Sequence, residues 1–222
     1  MSKEPEEALR GRIVDVVRAQ LETEGYDAVQ LREVARRARV SLTTIYKHFP
    51  TRDELILSAL EAWMAENSYV AMEYPPPGES IYDGLMRVIR HVFEPWERHP
   101  MMLRAYHRAR RGPGAERLDT QGLDAVLPVV GAVLAGAEQT YLQDIATITS
   151  NMAFALLGQC ADGTLEVAQA LPLIERAIYR LTADNVPEAT AAVERRTSDP
   201  AATPLDPEIA GPYRRTPNSE AL

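Results

Sequence analysis

From residue 6 to residue 183 the apolar positions recur at three- and four-residue intervals, and nowhere do they alternate over any length as a half-buried strand requires. The first run, 6–24, carries Leu9, Ile13, Val16, Val17 and Leu21 and stops at Gly25, which predicts a helix. A shorter run over 31–38 has Leu31, Val34, Ala35 and Ala38. Ser41 then offers a good N-cap for a helix over 42–49, which Pro50 ends. Thr51 caps the next helix, with Glu54 at the capping-box position and Leu55, Ala59, Ala62 and Trp63 along one side.

The run PPPG at 75–78 is the first strong break. Beyond it helical spacing returns over 81–98, 101–111, 121–138, 142–161 and 165–183, with interruptions at RRGPG and DG. Pro95, Pro128 and Pro172 fall inside or near the starts of these runs, where each is expected to kink a helix. From 185 to 222 the pattern is lost: six of the 16 prolines lie there and Tyr213 is the only aromatic, which predicts a disordered tail. The expected fold class is all-α, with an N-terminal three-helix domain over 1–50, a larger helical domain over 51–184 and the tail over 185–222.

Composition narrows the class. Of 222 residues 45% are hydrophobic and 25% charged, enough for a sizeable core. The single cysteine, Cys160, excludes an internal disulfide framework and a thiolate-rich zinc site, and fits a reducing cytoplasm. The acidic, polar start MSKEPEEALRGR is no secretory signal, and the longest apolar run, 125–137, is broken by Pro128, Gly131 and Gly136 and too short to span a bilayer. The net charge of −8 argues against nucleic acid only on average. Between 32 and 52, Arg32, Arg36, Arg37, Arg39, Lys47 and Arg52 stand against Glu33 alone, a local excess of five positive charges. A solvated charged face would look the same, so the charge needs a second observation beside it.

That observation is the segment SLTTIYKHFP at 41–50. Thr43, Thr44 and Ile45 make a poor helix by propensity alone, because β-branched side chains lose rotamer freedom there. Two short helices around a tight turn, with small Ala35 in the first and Val40 between them, form a helix-turn-helix pattern. In such a unit the second helix enters the major groove. Short Thr43 and Thr44 then let its backbone approach base edges, and Tyr46 and His48 reach phosphates at the groove walls.

The run GYDAVQLREVARRARVSLTTIYKHFPTRDEL (25–55) resembles the DNA-binding head of the TetR family of bacterial transcription regulators, whose recognition helix reads Ser-x-x-Thr-aliphatic-Tyr-x-His/Tyr-Phe. The resemblance implies phosphate contacts by Tyr46, His48 and Arg52, with Ser41 capping the helix and Thr44 beside it. It implies base reading by Leu42, Thr43 and Lys47, with Gln30 and Arg32 as further contacts. Two positions depart from the family. Arg39 stands where glycine is usual, at an expected cost of about 1 kcal/mol if the left-handed geometry is kept. Gln30 replaces the usual threonine cap of the second helix and is a weaker cap.

For the second half the resemblance implies a homodimer formed through the last two long helices, with Ala146, Ala153, Ala155 and Gly158 permitting close approach and Leu156, Leu157, Ile174 and Ile178 supplying apolar area. It implies an effector pocket walled by Phe93, Trp96, Met101, Met102, Tyr106, Leu123, Leu127, Thr149 and Met152, suited to a bulky apolar molecule, with His99, Arg104 and His107 near one end for a carboxylate or phosphate. The head together with ERHPMMLRAYHRA (97–109) is similar to actinobacterial repressors of cholesterol and steroid catabolism, which sense a steroid acyl-CoA. The expected function is a cytoplasmic repressor released from palindromic double-stranded DNA by such an effector, with no cofactor and no membrane partner. The alternatives are a multidrug-type sensor and an all-α binding protein or enzyme with a vestigial helix-turn-helix. Against catalysis, the four histidines show no metal-ligand spacing and no serine or cysteine pairs with one of them by pattern.

Overall fold

Side-chain caps start helices where the chain predicts them. The computed structural model describes residues 3–198, with helices α1 (Lys3–Thr23), α2 (Leu31–Ala38), α3 (Leu42–His48), α4 (Arg52–Asn67), α5 (Ile81–Arg98), α6 (Pro100–Ala109), α7 (Glu116–Val133), α8 (Gln139–Ala161), α9 (Val167–Thr182) and α10 (Val186–Ser198). One turn of 3-10 helix occupies Tyr26–Ala28, and no strand occurs among the described residues. The Ser41, Thr51 and Ser80 hydroxyls accept from the amides of Thr44, Glu54 and Asp83, satisfying donors that a helix start leaves orphaned. Pro95, Pro128 and Pro172 all lie inside helices. No described helix is long and apolar enough to cross a membrane.

Residues up to Thr182 form one compact unit, so the expected boundary at 50 is not a break in packing. Helix α4 is the reason. It buries Leu55, Ile56, Leu57, Leu60, Trp63 and Met64 and packs on α1, α6 and α7. Through it Ile13, Ile45 and Phe49 of the head share one apolar cluster with Phe93, Trp96 and Tyr106. Helices α5, α8 and α9 close the far side, burying Leu156, Leu157, Ile174 and Ile178 within the chain. These four side chains therefore do not supply the outward dimer face expected of them.

Two ends differ from expectation. Helix α7 runs Glu116–Val133 rather than 121–138, because Leu118 is fully buried and Glu138 belongs to the next helix. The Glu138 carboxylate accepts from the amides of Thr140 and Tyr141 and caps α8, a role that rarely falls to glutamate. The segment from Ala183 onward forms a second unit. Within it the expected tail carries α10, started by Asp184 accepting from the Val186 amide, in a stretch rich in alanine, glutamate and arginine. Residues 199–222 of that expected tail lie outside the described residues.

Candidate functional site

The helix-turn-helix closes around a backbone reversal. Arg39 sits at φ 56°, ψ 46°, the left-handed geometry that glycine holds at low cost. The next amide, of Val40, donates back to the Ala35 carbonyl at 2.9 Å. Ala35 and Val34 are buried, and Val40 packs against the core beside them. Gln30 precedes α2 with no side-chain capping bond, as its length and flexibility predict.

Helix α3 is held from below and open above. Ile45 and Phe49 are 0% and 2% exposed and anchor it to the core. The Ser41 hydroxyl accepts from the Thr44 amide at 3.0 Å and lies 2.8 Å from the Thr44 hydroxyl, so Thr44 belongs to the cap. Thr43, Tyr46 and Lys47, spaced to share one helix face, point outward, with Tyr46 50% exposed. Leu42 and His48 are half-buried at the edges of that face, and Gln30 and Arg32 are exposed at the start of α2.

The local charge excess is smaller than the residue count implies. Arg36 and Arg37 both donate to the Glu33 carboxylate, and Arg37 also donates to Glu24. Hydrogen bonds from Arg36 first and Arg37 next hold the Glu33 carboxyl down to about 2. Lys47 pairs with Glu6 at 3.0 Å and lowers that carboxyl in turn. Arg32 and Arg39 are the cations of this stretch with no side-chain partner among the described residues. Arg39 stands out in the sequence both as one of the six cations of this stretch and for its place at the turn.

Arg52 is already engaged within the protein. Its Nε donates to the Val29 carbonyl at 2.6 Å, its Nη2 donates to the Tyr26 carbonyl, and its guanidinium lies 4.6 Å from the centre of the Tyr26 ring. The side chain expected to meet a phosphate ties the start of α4 to the turn before α2. Two of its donors are used up there.

The expected effector wall is only partly assembled. Phe93, Trp96, Met102 and Tyr106 are buried together, with the Trp96 and Tyr106 rings 5.1 Å apart and Trp63 4.7 Å from Trp96. Thr149 and Met152 are half-buried on α8, and the Thr149 hydroxyl oxygen is enclosed without a protein partner. Leu123 and Leu127, however, are 55% and 57% exposed on the outer side of α7. Met101 turns the other way: a side-chain atom at Gly25 would lie 2.8 Å from its Cε, so it packs on the head. His99, Arg104 and His107 do not converge either. His99 lies by Glu22 and Trp63, while His107 faces Gly158 of α8 and is hydrogen-bonded to Arg111.

A hollow of about 700 Å³ forms an open groove between α4 and α7, lined by Glu61, Tyr69, Arg117, Thr120 and Gln121, and includes none of the expected wall residues. Its breadth and its Arg117–Glu61 ion pair mark it as surface relief. The aromatic and polar cluster beside it, buried at Tyr106 and open to solvent at Phe154 and Asp119, has more of the character of a binding site. There Arg110 stands 2.9 Å from Asp119 and 4.1 Å from the centre of the Phe154 ring. Burial pushes the neighbouring Tyr106 hydroxyl up to about 12, so it stays a neutral donor. Arg110 and Asp119 escaped the sequence reading because nothing in their spacing pairs α6 with α7.

Comparison with known proteins agrees with both halves of this geometry. Residues 13–59 match the model of bacterial regulatory proteins, tetR family, and residues 78–181 match that of the tetracyclin repressor-like C-terminal domain. The chain is 30% identical over 109 residues to the HTH-type transcriptional repressor KstR of Rhodococcus jostii, covering 49% of this chain and 50% of that one. It is 32% identical over 113 residues to the KstR repressor of Mycolicibacterium smegmatis, covering 49% and 53%. It thus spans about half the length of the curated relatives it matches. A TetR transcriptional regulator from Rhodococcus sp. RHA1 superposes with a TM-score of 0.61 at 21% identity, over 77% of this chain and 95% of that one, which shows the shared fold. With a family head and a family body matched in order along most of its length, the chain belongs to the TetR family of bacterial regulatory proteins.

Proposed function

We propose that this protein is a ligand-responsive transcriptional repressor that binds palindromic double-stranded operator DNA as a homodimer and is released by a bulky apolar effector. The carrying observation is the outward edge of α3. Thr43, Tyr46 and Lys47 share one exposed face on a helix whose opposite side, Ile45 and Phe49, is fixed in the core. On that reading Thr43 and Lys47 meet base edges, Tyr46 and His48 meet phosphates, and Arg32 and Arg39 add charge at the groove rim.

One head reads too few base pairs for genomic specificity, and two heads a helical turn apart read a palindrome. The dimer face is then the outward side of α8 and α9, where Ile148, Phe154 and Tyr179 are exposed beside small Ala146 and Ala155. Gly158 serves the inside instead, where a Cβ would lie 3.1 Å from the His107 ring.

For the effector, the buried group Phe93, Trp96, Met102 and Tyr106 supports an apolar body. The resemblance to steroid-catabolism repressors supports a steroid or lipid acyl-CoA. Near-complete release requires about a 10⁴-fold preference of effector for the form that has left DNA, about 5.5 kcal/mol. The test is fluorescence anisotropy with duplexes from the DNA beside its own gene, titrated with steroid acyl-CoA, fatty acyl-CoA or free steroid. Tight binding to one palindromic duplex, lost with one of these additions, is expected. Equal binding to a scrambled duplex would overturn the DNA reading, and release by none of the three would overturn the effector class.

A further inference from the structure

Helix α6 presents two faces to two parts of the molecule. Met102 and Tyr106, four apart, point into the body among the buried aromatics. Met101 and Arg108, seven apart and so on one other face, lie against the link between α1 and α2. Met101 closes over Gly25, and Arg108 Nη1 donates to the Asp27 carboxylate at 2.6 Å. The Arg108 guanidinium also lies 4.7 Å from the centre of the Tyr26 ring, the ring that Arg52 approaches to 4.6 Å.

Two guanidinium groups on one tyrosine would repel each other without compensation. Each has its own carboxylate: Asp27 for Arg108, and Asp53, 4.0 Å away, for Arg52. The Tyr26 hydroxyl donates to Asp53 at 3.3 Å and completes the cluster. It therefore joins three elements: the body through α6, the start of α4, and the turn that leads into α2.

We propose that Arg108 is a positioning residue for DNA recognition: from α6 it straps the Tyr26–Asp27 turn to the body and so sets the pose of α2 and α3. This rests on the reading of the head as a DNA-binding unit. It adds a second path between body and head beside α4. An effector that displaces Tyr106 shifts the same helix that carries Arg108, and the strap passes that shift to the turn before α2.

The strap is partly exposed, with Arg108 at 56% and Asp27 at 76%. Its removal should therefore change pose and mobility without unfolding the chain. The test compares the full-length protein with Arg108→Ala, Arg108→Lys, Asp27→Asn and the Arg108→Ala/Asp27→Asn double variant. Two readouts are used: amide hydrogen exchange of the 25–31 peptide, and anisotropy titration of the best-bound duplex over a range of salt.

Arg108→Ala should speed exchange of that peptide and weaken duplex binding, each by about 3- to 10-fold, as expected of an ion pair with ring stacking. The salt slope should stay unchanged, since no phosphate contact is lost. Arg108→Lys should recover part of both effects, and the double variant should be no worse than Arg108→Ala alone. A salt slope lowered by about one would show Arg108 on a phosphate and overturn the strap. Unchanged exchange, or fully additive single effects, would overturn it as well. Should the wild type bind no duplex, the DNA reading fails, and the exchange data still decide whether the strap exists.

Discussion

Arg52 Nε donates to the Val29 carbonyl at 2.6 Å, across a gap of 23 residues. With the second bond to the Tyr26 carbonyl, this makes Arg52 a staple between α4 and the head. Arg52→Ala should lower stability by about 1–3 kcal/mol, because two buried-side carbonyls lose a charged donor. Arg52→Lys should recover less than half of that, since one ammonium cannot reproduce the planar fork. Urea denaturation reads both. A large loss of DNA affinity with stability intact would return Arg52 to the phosphate.

Arg39 holds a left-handed backbone at φ 56°. Arg39→Gly should raise stability by up to about 1 kcal/mol by relieving that geometry. It should also weaken binding to every duplex and lower the salt slope by about one, as loss of a phosphate contact does. Stability gained with DNA binding unchanged would leave Arg39 a backbone oddity alone.

Thr43 and Tyr46 share the exposed face of α3 but have different reach. Thr43→Ala should cost about 1–3 kcal/mol on the preferred duplex and little on others. Tyr46→Phe, which removes only the hydroxyl, should weaken all duplexes alike. Competition titrations separate the two patterns, and equal losses for Thr43→Ala everywhere would remove it from base reading.

The Glu33 carboxyl, held at about 2 by Arg36 and Arg37, sits well below its ordinary value of 4.5. Its contribution is thus present above about pH 4.5 and lost as pH falls through about 2. Glu33→Gln should flatten the acid limb of the stability curve in that window. It should also free Arg36, while Arg37 keeps its Glu24 partner, and steepen the salt dependence of non-specific DNA binding. An acid limb unchanged by Glu33→Gln would show that other carboxylates set it.

Gln20 is fully buried in α1, and neither its amide oxygen nor its nitrogen has a protein partner. Such a group costs about 1–3 kcal/mol when left unpaired. Gln20→Met, close in shape and without polar demand, should therefore raise the midpoint of thermal unfolding. A lower midpoint would mean that the amide is satisfied in the folded protein.

The head was legible because its signals are local. The hydroxyls of Ser41 and Thr51 cap helices within three residues, and Pro50 stops α3 by its own ring. Alternation within one turn put Ile45 and Phe49 inside and Thr43 and Tyr46 outside. The strained turn at Arg39 could be read from a single residue standing where glycine is usual. The body was less legible. An apolar residue on a helix names no partner, and Leu123, Met101 and Met102 look alike in sequence yet face solvent, head and core.

The sequence by itself determined the all-α class, the helix-turn-helix, its cap and its exposed edge, since each depends on spacing within a few residues. Only the tertiary structure decided where the long side chains end. Arginine spans several ångströms, and which of Arg36, Arg37, Arg52 and Arg108 stays free depends on carboxylates and carbonyls brought near by folding. That is why the bonds of Arg52 to the Val29 and Tyr26 carbonyls could not be read from the sequence. It is also why Arg108, 81 residues from Asp27, became visible as part of the head.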